Sequence, residues 1–181
     1  TAIRTSAPDL KTLHIDNVSP ATIARHEEPA GEALSAIVRY HTPGDVAAFG
    51  METADPAVVA ANNLKAGSAE VFRAIEIVNE RGGMRKDGIP ELLPGLNFVC
   101  GLAGETKETY DLNEEFLDRV LAAGLLVRRV NIRPLMPFPG TPAYARNTLG
   151  KHDRRFRVFK EHTRQLFDLP MLQKVFPLGT I

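Results

Sequence analysis

Leu96-Asn97-Phe98-Val99-Cys100-Gly101-Leu102-Ala103-Gly104-Glu105-Thr106 is the stretch on which the reading of the fold turns. Its first six residues form an apolar run broken by one polar side chain, the pattern of a buried strand. Two glycines then mark a turn, and beyond Thr106 an amphipathic helix carries Tyr110, Phe116, Leu117, Val120 and Leu121 before stopping at Gly124. The same strand-to-helix step recurs along the chain. A strand over residues 12–16 is followed by helical material over 21–26 and 30–40, closed by Thr42-Pro43-Gly44. A second strand over 45–51 leads to a short helix after Asp55-Pro56, where Asp suits the cap and Pro the first turn. A long helix then opens at Gly67-Ser68, places Val71, Ile75 and Val78 on one face, and ends at Gly82-Gly83. After the third strand, 96–101, a fourth over 126–136 ends in a proline-rich segment and precedes a basic amphipathic helix over 153–167. From Leu169 onward, Pro170 and Pro177 predict a tail or linker.

Strands alternating with helices at these lengths predict an α/β fold of parallel (β/α) units. About four strands are too few for an eight-stranded barrel of roughly 250 residues. The expectation is a small doubly wound sheet or part of an incomplete TIM-like barrel over 1–148, with the basic helix and tail over 149–181.

Composition narrows the function classes. Of 181 residues, 44% are hydrophobic and 24% charged, which is ordinary for a globular domain. Lys plus Arg equals Asp plus Glu at 22 each, so no chain-wide positive field holds nucleic acid or an anionic membrane. Cys100 is the only cysteine, so no disulfide forms within the chain, and a cytoplasmic compartment is expected. The longest apolar stretch, 120–127, is far short of the roughly 20 residues a membrane helix needs. The first residue is Thr1 rather than Met, which reads as a piece whose natural start lies upstream.

In parallel α/β folds, ligands bind at the carboxyl ends of the strands. Alternation places Thr12, His14 and Asp16 on one face of the first strand, Asn97 against Leu96 and Phe98 on the third, and Asn131 and Arg133 on the fourth; Glu52 follows the second. Four strands with a polar face near one end predict a shared cavity, the alternative being a half-open sheet that wets one face. Gly101 to Thr106 allows a ligand to approach backbone beside a helix N-terminus, or is an ordinary turn capped by Glu105 or Thr106. It is neither a Walker loop nor a dinucleotide fingerprint. Cys100, among Phe98, Val99 and Gly101, reads as a small apolar residue rather than a nucleophile. Five histidines without ligand spacing and one cysteine hold no metal, so no metal ligand is expected from this chain alone. The basic run Lys151, Arg154, Arg155, Arg157, Lys160 and Arg164 reads as a solvated helix face before an RNA or partner contact.

Phe49-Gly50-Met51-Glu52-Thr53 with Asn62-Asn63-Leu64-Lys65, the segment from Asn97 to Thr106, and Pro137-Phe138-Pro139-Gly140-Thr141-Pro142-Ala143 together resemble three motifs of radical S-adenosylmethionine enzymes, in family order. The resemblance spans roughly residues 10–145 and is closest to the branch of methylthiotransferases and Elongator-like proteins. It implies an incomplete six-stranded (β/α) barrel with S-adenosylmethionine across its open top. By resemblance, Glu52 approaches cofactor or substrate, Asn97 and Gly101 approach the ribose or methionyl end, and backbone near Leu135 and Met136 packs on adenine. Thr12, His14, Asp16 and Arg133 become substrate-side candidates, with His and Asp suited to proton handling.

The chain departs from that family in one decisive respect. The CxxxCxxC loop that holds the 4Fe-4S cluster is absent, and Cys100 lies on the wrong strand. The resemblance therefore implies the C-terminal portion of a radical enzyme core, without its first two strands and inactive alone. The parent enzyme would need a reductant and would act on RNA or a small molecule, and an isolated piece exposing its former interior would self-associate. The alternative is a degenerate, non-radical barrel serving as a nucleotide-like ligand-binding or scaffold subunit. A hydrolase or transferase using Asp16, Glu52 and His14 is weaker, because no Gly-x-Ser-x-Gly elbow is present.

Overall fold

The alternating pattern folds, in a computed structural model that describes residues 2–177 and 179, into the following order: α1 (Ala2–Ser6), β1 (Asn17–Val18), α2 (Pro20–Arg25), α3 (Glu27–Tyr40), β2 (Asp45–Glu52), α4 (Pro56–Ala61), α5 (Ser68–Gly82), β3 (Arg85–Lys86), β4 (Ile89–Pro90), β5 (Leu92–Cys100), α6 (Lys107–Ala122), β6 (Arg129–Pro134), α7 (Pro142–Arg146), α8 (Asp153–His162), a π-helical segment (Thr163–Asp168) and α9 (Leu169–Val175). Four strands form a wholly parallel sheet in the order β1-β2-β5-β6. This is the expected α/β class: part of a TIM-like (β/α) fold. Among the described residues no helix is long and apolar enough to cross a membrane.

The two faces of the sheet differ. Ala47, Phe49 and Met51 of β2 and Leu92, Leu96, Phe98 and Cys100 of β5 are buried in the main core with residues of α5, α6, α8 and α9. Phe98 meets Phe159 of α8 edge to face at 5.5 Å, and Tyr110 of α6 meets the same ring at 6.0 Å. The close approach of α5 to β5 depends on Gly82, where an added Cβ would lie 2.4 Å from the Leu92 carbonyl oxygen.

Several element boundaries differ from the sequence expectation, each for a local reason. Residues 12–16 are not a strand. Their backbone groups bind loop and side-chain groups instead: Leu13 N–H donates to Thr42 Oγ1 (3.0 Å) and Ile15 N–H to Asp45 Oδ2 (2.8 Å). The true edge strand is Asn17–Val18. Residues 126–128 fall outside β6 because the Asn79 side chain takes both backbone groups of Leu126, at 2.8 and 2.9 Å. The β3–β4 hairpin was not expected. Its loop, Asp87-Gly88, has positive φ at both residues, as a tight primed turn requires.

The stretch from Leu169 is a helix rather than a tail, with Met171 and Val175 buried. Pro170 lacks an N–H and its ring would clash with a carbonyl four residues back in an α-helix. The chain meets this by widening into the π segment, in which Leu169 N–H reaches Arg164 O, and then resuming α geometry. Asp168 closes the π segment half-buried beside the β6 edge, accepting a hydrogen bond from Val130 N–H. Burial pushes its carboxyl up to about 6, above the ordinary 3.8.

Two outcomes follow from this packing. Gly82→Ala, which raises helix propensity by about 1 kcal/mol, is expected instead to destabilise the fold by roughly 1–3 kcal/mol in urea unfolding, because the methyl meets the β5 backbone. Asp168 holds its proton more tightly folded than unfolded, so it favours the fold below pH 4 and that contribution is lost as pH rises through about 6. Asp168→Asn should therefore stabilise by about 1 kcal/mol at pH 8, after allowance for solvent screening, and by nothing at pH 4.

Candidate functional site

The remaining face of the sheet is polar. Register sets Asn17, Ala48, Gly95 and Arg129 side by side, then Gly50, Asn97 and Asn131, then Val99 and Arg133 toward the carboxyl end. Asn131 Nδ2 donates to Asn97 Oδ1 (2.8 Å), and Asn97 Nδ2 donates to the Phe49 carbonyl (3.2 Å). These amides form a rung across three strands.

At the end of β2 the pairing slips between Gly50 and Glu52. Glu52 has φ +57°, a left-handed conformation costing roughly 1–2 kcal/mol for a residue with a Cβ. The slip turns its carboxylate back over the face: a Cβ at position 50 would stand 2.6 Å from Glu52 Oε1, so any larger residue there displaces the carboxylate. Glu52 is half-buried, and desolvation raises its carboxyl above the usual range. It borders a cavity of about 470 Å³, also lined by Asn17, Ser19, Gly50, Asn63 and Lys65.

A buried polar clamp holds this strained end. Asn113 of α6 accepts from Ala54 N–H (2.7 Å) and from the Thr53 hydroxyl (3.2 Å). Asp55 caps α4 by accepting from Ala57 N–H (2.8 Å), and also accepts from the Thr109 hydroxyl (2.6 Å). Asn62 bonds both backbone groups of Ala103, at 2.8 and 3.2 Å, tying the loop after β2 to the loop after β5. Sequence reasoning treated Asp55 only as a cap and passed over Asn113. The available signal was a polar residue between Tyr110 and Phe116 on the apolar face of α6.

The glycine turn after β5 is closed on itself. The buried Glu105 carboxylate accepts from Gly101 N–H (2.7 Å), Leu102 N–H (3.0 Å) and the Tyr110 hydroxyl (3.3 Å). Burial pushes this carboxyl up, against the pull of those bonds. Gly101 is itself buried: its carbonyl accepts from Thr148 N–H, and a Cβ there would meet Leu149 at 3.3 Å. Its amide therefore serves the turn, and Thr106 N–H begins α6 by donating to Thr109 Oγ1. Cys100 sits buried beside this turn with its thiol pushed up to about 12, which keeps it protonated.

The structure brings Glu52, Asn97, Arg133, Gly101 and Leu135 to the carboxyl end of the sheet. Leu135 N–H donates to the Cys100 carbonyl (2.7 Å), and Met136 beyond it is exposed. It does not bring Thr12 and His14 there. Leu13, between them, pairs with Thr42, and His14 Nδ1 lies 3.9 Å from Asp45 Oδ1, at the amino end of β2. Asp16 lies between the two ends, its carbonyl accepting from Ala48 N–H. Among the described residues no group of three His, Cys, Asp or Glu could hold a metal ion.

With this geometry in view, comparison with known proteins places the fold. No family model matches the chain. It is 50% identical over 181 residues to an uncharacterized protein of Archaeoglobus fulgidus, and 46% identical over 174 residues to the uncharacterized protein MJ0274 of Methanocaldococcus jannaschii. Those alignments cover 98% and 94% of this chain but 34% and 32% of the relatives, so the chain spans about a third of their length. In structure it resembles TsrM of Kitasatospora setae, a radical S-adenosylmethionine methyltransferase solved with cobalamin and a [4Fe-4S] cluster bound. The TM-score is 0.52 at 18% identity, over 78% of this chain and 24% of TsrM. The likeness is one of fold: the chain is a partial (β/α) barrel of the kind found in that radical enzyme.

Removing the clamp tests its role. Asn113→Ala leaves the Ala54 amide and Thr53 hydroxyl without their buried acceptor and should lower stability by roughly 2–3 kcal/mol in urea unfolding, with faster amide exchange confined first to residues 52–55.

Proposed function

We propose that the chain is the C-terminal portion of a radical S-adenosylmethionine enzyme core, of the methylthiotransferase and Elongator-like branch, and lines the cofactor and substrate pocket. The observation that carries this reading is Glu52, held by a strained bulge over Gly50 at the mouth of a polar cavity of about 470 Å³. The position coincides with the motif that suggested the family. Fold likeness to a radical methyltransferase and the order of the three motifs support it further.

The residues fit the cofactor. A half-buried carboxylate suits the hydroxyls or ammonium of S-adenosylmethionine, and Asn17, Ser19 and Asn63 add donors and acceptors around it. Asn97 sits one strand away on the same face, and Leu135 at the end of β6 offers backbone and apolar surface. In the resembled family, bound S-adenosylmethionine supplies a 5′-deoxyadenosyl radical that takes hydrogen from substrate. This chain's share is to bind and orient the cofactor. Its residues do not fit the 4Fe-4S cluster, since Cys100 is one buried, protonated thiol. The cluster ligands, the reductant and the remaining strands belong to the parent in this reading, and the substrate is RNA or a small molecule. The exposed Met136 and Phe138 at the open end favour self-association of the isolated chain.

Isothermal titration calorimetry with S-adenosylmethionine tests the reading on this chain. Saturable one-to-one binding is expected, weakened roughly 10- to 100-fold by Glu52→Gln as a charged hydrogen bond is lost. Gly50→Ala, which displaces the same carboxylate, should weaken it comparably. Absence of binding sinks the cofactor assignment, and equal affinity for adenosine would favour the non-radical, nucleotide-binding barrel.

A further inference from the structure

β6 is the last strand of the sheet, and its outer edge is bare. Leu135 N–H, just past β6, donates to the Cys100 carbonyl of β5. Backbone direction alternates along a strand, so the groups of residues 129, 131 and 133 face β5 and those of Val130 and Ile132 face outward. Asp168 agrees with this phase, since it accepts from the outward Val130 N–H. It covers one donor. Among the described residues no strand meets the Val130 carbonyl or the two backbone groups of Ile132, and Pro134 ends the edge without an N–H.

Along this edge a cavity of about 550 Å³ opens between β6 and the helix formed by α8 and the π segment. Arg157, Lys160 and Arg164 line it, exposed cations at i, i+3 and i+7 and therefore on one helix face. Among the described residues none of the three forms an ion pair, and the Lys160 ammonium lies 5.9 Å from the Phe156 ring. Arg155 of the same basic run, by contrast, is paired with Asp111. Two acids share the cavity and both are engaged: Glu161 accepts from Gln165 Nε2 (2.9 Å), and Asp168 from Val130 N–H. Three cations against two acids leave the cavity net positive.

Two demands select the occupant. The bare edge offers acceptors as well as a donor. A phosphate, free or in a nucleic-acid backbone, brings acceptors only and leaves the Val130 and Ile132 carbonyls unmet, whereas a peptide brings an N–H and a C=O at each residue. The cations require acidic side chains, and their spacing suits a strand. They stand roughly 4.5 and 6 Å apart along the helix axis, close to the roughly 7 Å between alternate side chains of an extended chain.

We infer that β6 takes an added strand from a partner protein, an extended segment with acidic residues at alternate positions. Its backbone pairs with Val130 and Ile132, and its carboxylates meet Arg157, Lys160 and Arg164. The inference is independent of the cofactor reading, because no residue lining this cavity borders the one at Glu52.

Nitrogen–proton NMR of the chain tests it with a capped peptide of alternating valine and glutamate, against the same peptide with lysine for glutamate and against polyuridylate. The glutamate peptide should give saturable shifts at the Ile132 amide and the Arg157 and Arg164 Nε–H, with slowed exchange of the Ile132 amide; the lysine peptide should not. Lys160→Gln combined with Arg164→Gln should weaken binding at least tenfold as charged hydrogen bonds are lost. Arg154→Gln, in the same basic run but outside the cavity, should leave it unchanged. N-methylation of the peptide, at the valines in one sample and the glutamates in another, tests the backbone bonds without altering the protein: at least one of the two should fail to bind. If both bind like the parent peptide, the edge is not paired and the proposal falls. It falls equally if the glutamate peptide gives no shifts, if the lysine peptide matches it, or if polyuridylate binds the same residues more tightly, which would make this a nucleic-acid surface.

Discussion

The parallel pairing of β2 with β5 is the constraint on which the rest of this structure hangs. These are the two inner strands of four, and their helix-side residues Phe49 and Phe98 have no exposed surface. A parallel pair cannot close through a tight turn, so the chain must leave the sheet and return. It does so through α4 and α5, and α5 comes back close enough only because Gly82 presents hydrogen to Leu92. With that crossover seated, β1 and β6 add to the two sides.

The same pairing sets the chemistry of the open end. Where it slips by one residue, Glu52 is forced into a left-handed conformation and its carboxylate folds over Gly50. Strain of this kind persists only where the surroundings over-determine it. Here the surroundings are Asn113, Asp55, Thr53 and Thr109, which satisfy the loop's polar groups internally and leave Glu52 facing the cavity. The neighbouring glycine turn shows the opposite use of a carboxylate. Glu105 is spent on the turn's own amides, so of the two readings the segment allows, ligand approach or self-closed turn, the structure realises the turn. Two glutamates near the carboxyl ends of adjacent strands, Glu52 closing β2 and Glu105 five residues beyond β5, thus have different roles, decided by which way the backbone points them.

The two faces of the sheet divide the labour. One is filled by aromatic and aliphatic side chains beneath α5, α6 and α8. The other keeps asparagines, glycines and arginines in register, an arrangement a fully buried parallel sheet would not tolerate. Gly50, Arg129 and Arg133 on that face are exposed and Asn97 and Asn131 only partly covered, so the face is left open rather than packed under a helix layer. The helices beyond β6 reinforce the separation, since the π turn before Pro170 lets α9 bury Met171 and Val175 against the core.

By itself the sequence determined the α/β class, the two long helices, three of the four strands in their middles, and the carboxyl-end position of Glu52, Asn97 and Arg133. Period-2 and period-3.6 patterns and glycine punctuation are local signals, and they survive folding when the core agrees with them. Tertiary structure alone decided where strands begin and end. Asn79 caps Leu126 from 47 residues away, and Thr42 and Asp45 hold residues 12–16 out of the sheet, which also carries Thr12 and His14 away from the cavity. It likewise decided that Asn113 is a clamp and that Gly101 is covered. Each of these rests on a contact between residues distant in sequence, and no periodicity within one element can encode which partner on another element a polar side chain will meet.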